Sequence, residues 1–291
     1  MDRVPYLFPD GARLGADNLV LRAKAKRHRV DRYAGPLSIK TVLSGRVTWL
    51  VRGRELVVDP SSFLVVSSGE EYSMNIEAET PVETCCAFFA PGFVERVAGD
   101  LVSPDLTDQA PPSVPYLSAL HRNSAVGVKN AVQTLASRCF EALEPSGYEE
   151  AFVVLAAELL RVYQTVREQA DRVPAAREST RRELFRRLLI GREYLHSHSS
   201  GSVSLAATAR AACLSPFHFH RGFTNAFEQT PHTYLTNLRL DQARARIEAG
   251  SPVLAASLEA GFSNPSAFAR LFRSRFGELP GAVRRKFARS G

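Results

Sequence analysis

Short apolar stretches separated by turn residues dominate the chain from Leu19 to Phe89. The turn signals are Gly45, Arg52-Gly53-Arg54, Asp59-Pro60 and Ser67-Ser68-Gly69, and the apolar stretches between them are Leu37–Leu43, Val47–Val51, Val57–Val58 and Phe63–Val66. Strands of about four to six residues at a spacing of roughly 8 to 12 residues are typical of a small β-sandwich or β-barrel. The pattern therefore predicts an all-β N-terminal region.

Helical periodicity replaces this pattern after Pro91 and the proline-rich segment Pro111–Pro115. One apolar face recurs at i, i+3, i+4, i+7, i+8 and i+11, which predicts a long helix. Its members are Phe152, Leu155, Ala156, Leu159, Leu160 and Tyr163, continued by Val166. An apolar helix face must pack against another apolar surface. The sequence allows two such surfaces: the preceding helix around residues 128–143 or a second protomer. Residues 172–182 are predicted to form either a linker or the approach to the next helix.

From Arg181 onward the pattern is helical and repeats itself. Leu205–Leu214 is followed by Ser215-Pro216, and Val253–Phe262 is followed by Ser263-Asn264-Pro265. Each segment predicts a short helix, a tight turn and a second helix that begins at the proline, with Ser215 as an N-cap. Pro216 and Pro265 are 49 residues apart, so we infer a duplicated helix-turn-helix unit.

An uninterrupted segment, Pro231–Ala249, joins the two units and ends at Gly250. It predicts one helix of roughly 28 Å at 1.5 Å per residue. That length is close to the ~34 Å between successive major-groove faces of B-DNA. A single chain is therefore expected to place two recognition helices in adjacent grooves.

Aromatic spacing divides each recognition helix into a buried and an exposed side. In the first helix the buried side is Phe219, Gly222, Phe223, Ala226 and Phe227, and in the second it is Phe268, Leu271, Phe272 and Phe276. The exposed side of the first helix is Phe217, His220, Arg221 and Thr224, and that of the second is Ser266, Ala269, Arg270 and Arg273. Such stripes suit base edges in a major groove. We expect phosphate contacts from Arg239, Arg244, Arg273 and the helix N-termini.

Charge distinguishes the two halves of the chain. The net charge is +7 over 291 residues, but residues 181–291 hold 17 Lys and Arg against 7 Asp and Glu, whereas residues 1–180 hold 20 against 23. The whole positive excess therefore lies in the last third, which indicates a polyanion partner for that part alone.

Composition narrows the class of protein. With 45% hydrophobic residues and a mean hydropathy of −0.13, the chain is neither bulk-disordered nor membrane-spanning, because no apolar run approaches ~18 residues. No secretory signal pattern opens the chain, so a cytoplasmic location is expected. The cysteines are too few and too irregular for a disulfide framework or a zinc knuckle, and we expect them to be reduced. They are Cys85, Cys86, Cys139 and Cys213.

Residues 185–286 resemble the tandem helix-turn-helix domain of the AraC/XylS family of bacterial transcription regulators. The residues that carry the resemblance are Leu214-Ser215, Phe219-His-Arg221-Gly-Phe223, Pro231-x-x-Tyr234, Arg239, Ala243, Gly261-Phe262, Phe268-Ala-Arg270-Leu-Phe272, Gly277-x-x-Pro280 and Arg284. The chain departs from the family pattern at Cys213 and Glu228, where turn glycines are usual, and at Ala256-Ser257.

The resemblance implies which residues contact bases. These are Phe217, His220 and Arg221 in the first unit and Pro265, Ser266, Ala269 and Arg270 in the second. With His218, Thr224 and Arg273 they form the predicted DNA-binding set.

The β-rich half resembles the cupin-like sensor domain that this family often carries, which implies a small effector and pairing of protomers. The metal ligands of a cupin are missing, since His28 and His121 are the sole histidines before residue 181 and Tyr72 stands where a histidine is usual. We therefore predict no metal, no cofactor and no catalysis. The candidate effector-binding residues are Tyr33, Trp49, Tyr72 and Met74.

Together these patterns predict an α+β protein of two domains. Residues 1–175 form a cupin-like β-barrel with following helices that senses and dimerises, and residues 181–291 form an all-α tandem helix-turn-helix domain that binds double-stranded DNA. The function expected is a sequence-specific, effector-responsive transcription activator, homodimeric and in contact with RNA polymerase. The alternatives are an effector-free regulator whose barrel dimerises or binds a protein partner, and a cupin enzyme fused to a DNA-binding domain.

Overall fold

The computed structural model describes residues 6–8, 11–101, 119–122, 127–138 and 145–287. The chain forms two compact units, Met1–Glu168 and Gln169–Gly291. The functional domain limits at residues 175 and 181 stay a prediction. The segment Pro111–Pro115 and Cys139 lie outside the described residues.

The N-terminal unit is a nearly closed antiparallel β-barrel followed by helices. Its strands are β1 (Tyr6–Phe8), β2 (Leu19–Ala34), β3 (Ser38–Ser44), β4 (Val47–Val51), β5 (Arg54–Val58), β6 (Ser62–Val66), β7 (Glu71–Phe88) and β8 (Leu120–Arg122). The long strand β7 organises the sheet, because it pairs with β2 along its length, with β4 near its start and with β3 near its end. The predicted apolar stretches correspond to β3, β4, β5 and β6.

Alternation of side chains builds the interior of the barrel. In β4, Val47, Trp49 and Val51 are buried, whereas the intervening Thr48 and Leu50 are not. This is the period of two expected of a strand with one face on a core. The inward residues join those of the neighbouring strands in a single apolar cluster.

Three helices follow in the N-terminal unit: α1 (Phe93–Leu101), α2 (Val128–Arg138) and α3 (Pro145–Asp171). Phe152 of α3 is fully buried, with ring centroids 5.7 Å from Phe89 and 6.3 Å from Phe93. The backbone N–H of Gly127, just before α2, donates to Glu158 of α3 (2.9 Å). The apolar face predicted for α3 is thus covered largely within its own unit, with Leu160 and Tyr163 half-buried at its margin.

The C-terminal unit is helical and contains the duplicated helix-turn-helix unit. Its helices are α4 (Glu178–Ser197), α5 (Leu205–Ala211), α6 (Pro216–Phe227), α7 (Pro231–Glu248), α8 (Val253–Glu259), α9 (Pro265–Phe276) and α10 (Pro280–Phe287). The pairs α5–α6 and α8–α9 are the two units, and α7 contacts helices of both. The predicted α+β fold with a tandem helix-turn-helix domain is confirmed.

The central helix α7 is continuous, as the sequence predicted. Its 18 residues correspond to roughly 27 Å at 1.5 Å per residue. It ends at Glu248, and Gly250 has a φ of +95°, the left-handed conformation that commonly terminates helices. Among the helices that the structure describes, none combines the length and the apolar character needed to cross a lipid bilayer.

Candidate nucleic-acid interface and barrel cavity

The recognition helix α6 begins with a cap that the sequence predicts. The Ser215 hydroxyl accepts a hydrogen bond from the backbone N–H of His218 (3.2 Å), and Pro216 occupies the first turn, where a missing N–H costs nothing. Phe219 and Phe223 are fully buried, whereas Phe217 is 68% exposed and His220 and Arg221 are exposed. The predicted division of α6 into a buried and an exposed side is therefore confirmed.

Two members of the predicted DNA-binding set also make local hydrogen bonds. Thr224 is half-buried and its hydroxyl donates to the carbonyl oxygen of His220 (2.8 Å), so it retains its oxygen as an acceptor. His218 is exposed, and its Nδ1 lies 2.7 Å from the Ser215 hydroxyl oxygen. His218 therefore helps to order the first turn of α6, at the flank of the exposed side.

The second recognition helix, α9, repeats this construction with Asn264 as its cap. The Asn264 side chain accepts from the backbone N–H of Ala267 (3.0 Å), and Pro265 again opens the helix. Phe268 and Phe272 are buried. The exposed residues of the predicted stripe are Pro265, Ser266, Arg270 and Arg273, with Ala269 half-buried.

Leu271 contradicts its predicted burial, because it is 41% exposed. Phe268, Phe272 and Phe276 define the side of α9 that packs on the C-terminal core. At 3.6 residues per turn, Leu271 is rotated by about 100° from Phe272. It therefore lies at the flank of the buried side rather than within it.

Both departures from the family's glycine pattern fall at left-handed backbone positions. Cys213, in the turn before α6, has a φ of +53°, and Glu228, directly after α6, has a φ of +55°. The corresponding residues of the second unit are glycines, Gly261 (φ +88°) and Gly277 (φ +76°). These positions share the left-handed backbone conformation in both units, although residues with a side chain tolerate it less well than glycine.

The first recognition helix is anchored by close approach to α4. A Cβ placed on Gly191 of α4 would overlap the buried ring of Phe219, with 2.7 Å to its Cζ. Gly222 of α6 lies against Leu188 of α4, where an added Cβ would come within 3.3 Å. Glycine at both positions thus allows the two helices to pack closely.

The arginines of the C-terminal unit divide into paired and available ones. Within the described part of this unit, seven exposed guanidinium groups make no hydrogen bond or ion pair. They belong to Arg177, Arg210, Arg221, Arg270, Arg273, Arg284 and Arg285. Because these groups need not break a protein contact first, they are the ones best placed to meet phosphates or base edges.

Arg239 and Arg244, which the sequence predicts to contact phosphate, already have partners within the C-terminal unit. Arg239 donates from Nε to the carbonyl oxygen of Ser199 and from a terminal nitrogen to that of Gly201, both at 2.7 Å, and its partial burial lowers its pKa. Arg244 pairs with Glu248 (2.8 Å) and lies 4.7 Å from the ring centroid of Phe276. Both guanidinium groups hold the C-terminal unit together instead.

The barrel encloses a cavity of about 250 Å³. Of the four residues predicted to bind an effector, Trp49, Tyr72 and Met74 line it, while Tyr33 stacks edge-on against Tyr72 at 5.7 Å. The remaining wall is mostly apolar. It consists of Leu21, Ala23, Ala25, Arg27, His28, Val30, Lys40, Ile76, Thr84, Cys86 and Phe88.

Lys40 of β3 is the cavity residue that sequence reasoning missed. It is 1% exposed, its Nζ donates to the Tyr72 hydroxyl (3.0 Å), and the ammonium lies 3.8 Å from the ring centroid of Phe88. Burial lowers its pKa to about 8, and burial raises the pKa values of Tyr72 and Cys86. A lysine within the apolar stretch Ile39–Leu43 was the available signal.

No group of three or more His, Cys, Asp or Glu side chains that could hold a metal ion occurs among the described residues. His28 lines the cavity, whereas His121 on β8 stacks on Phe63 at 5.2 Å. Cys85 and Cys86 are buried free cysteines on β7. Cys86 lines the cavity, and the Cys85 carbonyl oxygen accepts from Thr41 (2.6 Å).

Similar proteins were found by sequence and by structure. Residues 208–286 match the family described as a helix-turn-helix domain. The chain is 23% identical over 215 residues to YbfI of Bacillus subtilis, an uncharacterised HTH-type transcriptional regulator, and the alignment covers 73% of this chain and 71% of that protein. It is 31% identical over 98 residues to XylDLEGF operon transcriptional activator 3 of Pseudomonas putida, covering 32% of this chain and 30% of the activator.

A solved structure, that of a probable AraC family transcriptional regulator from Rhodopseudomonas palustris, is similar over 35% of this chain and 97% of that chain, with 24% identity and a TM-score of 0.34. The duplicated helix-turn-helix unit, together with the matched family and the two sequence relatives, defines a DNA-binding transcription regulator. The chain is thus similar to HTH-type transcription regulators, with the matched helix-turn-helix domain in its C-terminal unit and a β-barrel in its N-terminal unit.

Proposed function

We propose that this regulator is a dimeric activator whose affinity for its operator is set by a small molecule in the barrel. The observation that carries the proposal is the enclosed, mostly apolar cavity in the N-terminal unit of a chain whose other unit binds DNA. Cavities of this kind, with a few polar groups on an apolar wall, are the usual form of small-molecule sites. Residues 1–175 sense and dimerise, and residues 181–291 bind DNA.

In the proposed complex, α6 and α9 enter successive major grooves on one side of the duplex. The base contacts come from Phe217, His218, His220, Arg221 and Thr224 in α6 and from Pro265, Ser266, Ala269 and Arg270 in α9. Arg221 can form a bidentate contact with a guanine, whereas Arg273 contacts phosphate. Neither guanidinium group has a partner among the described residues, which supports these roles.

The effector acts by a shift of populations. It binds one arrangement of the dimer more tightly than another, so that paired half-sites beside a promoter become occupied and RNA polymerase is engaged. Its site of action is the cytoplasm, where the DNA is. The barrel does not catalyse a reaction, a proposal supported by its mostly apolar wall.

The DNA-binding roles are tested on an operator obtained by selecting genomic fragments on the full-length protein at fixed salt. Arg221→Ala is expected to weaken binding by about 1–3 kcal/mol and to relax preference at one base pair. Arg273→Ala is expected to weaken all sequences equally and to reduce the slope of log K against log salt by about 0.9. Arg182→Ala is the control, because Arg182 is exposed but paired with Glu178 on α4. Identical behaviour of the Arg221 and Arg273 variants would refute the assigned roles.

Two measurements separate the proposal from its alternatives. If operator affinity and footprint stay constant while a ligand occupies the barrel, the protein is an effector-free regulator, because a ligand indifferent to both states shifts nothing. Stoichiometric iron, zinc or manganese in the purified protein would instead favour the fused enzyme. A sedimentation measurement across micromolar concentrations reports dimerisation directly.

A further inference from the structure

Lys40 is a buried amine without a counter-charge. Its side chain on β3 is 1% exposed, and no carboxylate among the described residues pairs with it. Its Nζ atom lies 3.0 Å from the Tyr72 hydroxyl oxygen and 3.8 Å from the ring centroid of Phe88. Because an unpaired charge is unfavourable in such surroundings, they favour the neutral amine over the ammonium. Only the neutral amine has the lone pair that makes a lysine a nucleophile.

Burial makes the neutral amine available near neutral pH. It lowers the pKa of Lys40 to about 8, an effect that the nearby Cys86 partly offsets. At pH 7 roughly one Lys40 side chain in ten is therefore uncharged, against about one in three thousand for a lysine of ordinary pKa. Lysines that are desolvated in apolar pockets are typical of proteins that form Schiff bases with carbonyl compounds.

The barrel cavity gives a ligand access to this amine, since Lys40 is part of its wall. The wall includes apolar side chains such as Trp49, Ile76 and Phe88, which favour a hydrocarbon body. A protein cavity of about 150 Å³ holds benzene, with its six carbon atoms. By proportion, about 250 Å³ corresponds to a ligand of about ten non-hydrogen atoms.

The Tyr72 hydroxyl is placed to donate a proton to an oxygen atom that reacts beside Lys40. It accepts the hydrogen bond from Lys40, and its own proton meets no acceptor among the described residues. Burial raises the pKa of Tyr72, so the phenol keeps this proton at neutral pH. A protonated hydroxyl within hydrogen-bond distance of a reacting amine can act as its general acid.

Cys86 is a second nucleophilic group on the wall of the cavity. It lies directly opposite Lys40 in the antiparallel pairing of β3 with β7. Burial raises the pKa of its thiol, so the reactive thiolate is scarce. The amine of Lys40 is therefore the stronger nucleophile at this position.

From the unpaired buried amine, the neighbouring hydroxyl and the apolar wall we infer that the barrel cavity captures a small apolar aldehyde as an imine on Lys40. This inference deepens the proposed function, because it assigns to the proposed effector a chemical class and a covalent, reversible mode of binding. An alcohol of the same shape fits the cavity but lacks the electrophilic carbon.

The step is a condensation that releases one water molecule. The lone pair of the neutral Nζ attacks the carbonyl carbon, and a proton passes from nitrogen to the carbonyl oxygen, which gives a carbinolamine. The new hydroxyl group takes a proton from the Tyr72 hydroxyl and leaves as water while the C=N bond forms. The remaining proton on nitrogen returns to Tyr72. The product is a neutral imine, so Lys40 no longer carries a buried charge.

The test is reductive trapping on the full-length protein at pH 7 with benzaldehyde, octanal or 3-phenylpropanal. Cyanoborohydride reduces an imine to a stable secondary amine, and peptide mass mapping then gives the rate of labelling at each amine. The chain has five lysines, which are Lys24, Lys26, Lys40, Lys129 and Lys286. With at least one of the aldehydes, Lys40 is expected to be labelled at least tenfold faster than each of the other four.

The α-amino group of the chain is the internal reference. Its ordinary pKa is also about 8, so the ratio of the two labelling rates reports the contribution of the cavity rather than that of the pKa. If Lys40 is labelled no faster than the α-amino group with any of the three aldehydes, the inference is overturned.

Variants identify the reacting group through equilibrium binding. The wild type is expected to bind 3-phenylpropanal at least tenfold more tightly than 3-phenylpropan-1-ol in calorimetry. Lys40→Met keeps an apolar chain of similar length and is expected to bind both equally, and its retained affinity for the alcohol shows that the cavity is intact. Lys26→Met, at an exposed position of β2, and Cys86→Ser should keep the preference for the aldehyde. A preference that survives in Lys40→Met, or that is lost in Cys86→Ser while the alcohol still binds, would overturn the inference.

The pH dependence gives an independent readout. Because the neutral amine reacts and the ammonium does not, the affinity for 3-phenylpropanal should rise about tenfold per pH unit below pH 8 and level off above it. Arg27 and His28 of β2 and Tyr72 and Cys86 of β7 also line the cavity, so Lys40→Met and His28→Gln are the controls. The rise should vanish in the first variant and persist in the second. A flat wild-type profile would contradict imine formation.

Operator affinity measured with and without 3-phenylpropanal is a separate result. If it is unchanged while Lys40 carries the imine, the proposed sensing function fails and the ligand assignment stands. If Lys40 forms no imine, the ligand assignment fails and the proposed sensing function is judged on its own experiments.

Discussion

The two residues that directly follow the recognition helices α6 and α9 form a matched pair for measuring backbone strain. Glu228 after α6 and Gly277 after α9 are both left-handed, with φ of +55° and +76°. Replacing Glu228 by Gly and by Ala gives two variants that both lose the ion pair with Arg172, whose atoms are 3.4 Å apart. The difference in unfolding free energy between the two variants therefore isolates the backbone.

The magnitude follows from two opposing effects. A residue with a Cβ in the left-handed region costs roughly 1–2 kcal/mol. Glycine offsets this by about 0.5–1 kcal/mol, because it has more freedom to lose on folding. Glu228→Gly is therefore expected to be about 0.5–1 kcal/mol more stable than Glu228→Ala. Gly277→Ala is expected to destabilise by a similar amount, since an added Cβ would meet nothing within 4 Å.

The assay uses the single tryptophan of the chain, Trp49, which is buried in the barrel. Far-ultraviolet circular dichroism in urea follows the helices of both units, most of which lie in the C-terminal unit. Trp49 fluorescence follows the barrel, should not change among these variants, and identifies the part of the dichroism signal that changes with the N-terminal unit. Following the two signals separately avoids treating a two-unit chain as a single transition. Equal stability of the Gly and Ala variants at residue 228, or a neutral Gly277→Ala, would refute the left-handed assignment.

Three further predictions concern Lys40, Gly191 and Arg239. Between pH 8 and the ordinary lysine pKa the unfolded chain binds more protons than the folded one, so the Lys40 contribution makes the barrel more stable as pH rises, by about 3 kcal/mol in total. The raised pKa values of Cys86 and Tyr72 act in the opposite direction at higher pH, and Arg27 and His28 line the same cavity. The quantity to measure is therefore the difference in unfolding free energy between wild type and Lys40→Met, followed by Trp49 fluorescence as a function of pH. A difference that stays constant with pH would contradict the burial of a charged lysine. Gly191→Ala is expected to destabilise the C-terminal unit by about 1–3 kcal/mol through overlap with Phe219, whereas Gly281→Ala in α10, with its nearest atom at 3.8 Å, should be neutral or stabilising in the same dichroism assay. Arg239→Ala is expected to cost about 1.5–3 kcal/mol of stability but to leave the salt dependence of DNA binding unchanged; a reduced slope would restore Arg239 as a phosphate contact.

The DNA-binding half was predictable because its signals are local. Phe219 and Phe223, one helical turn apart, define the buried side of α6, and Ser215-Pro216 marks where the helix begins. The exposure of Leu271 was not predictable from spacing alone, because a residue at the flank of an apolar side is buried or exposed according to which helix lies beside it.

The barrel cavity was only partly predictable because it is made by long-range pairing. Lys40 faces Tyr72 across 32 residues of sequence, and no local pattern indicates that neighbour. Large aromatic residues such as Trp49 were predicted as candidate cavity residues because they are distinctive in any barrel. The protein partners of Arg239 and Arg244 were not predictable for a similar reason: a count of arginines does not show which ones already have partners, such as the Ser199 carbonyl oxygen.

The continuous helix α7 fixes how far this regulator can diverge in the DNA that it recognises. Inserting one residue into an α-helix advances its end by 1.5 Å and rotates it by about 100°. In the proposed complex, such an insertion in α7 would turn α9 away from the groove next to the one that α6 enters. Under the proposed mode of binding, substitutions on the exposed sides of α6 and α9 would change which bases are preferred, one position at a time. The distance between the two recognised segments, by contrast, is a property of the helix itself and can change only through insertions or deletions that restore its phase.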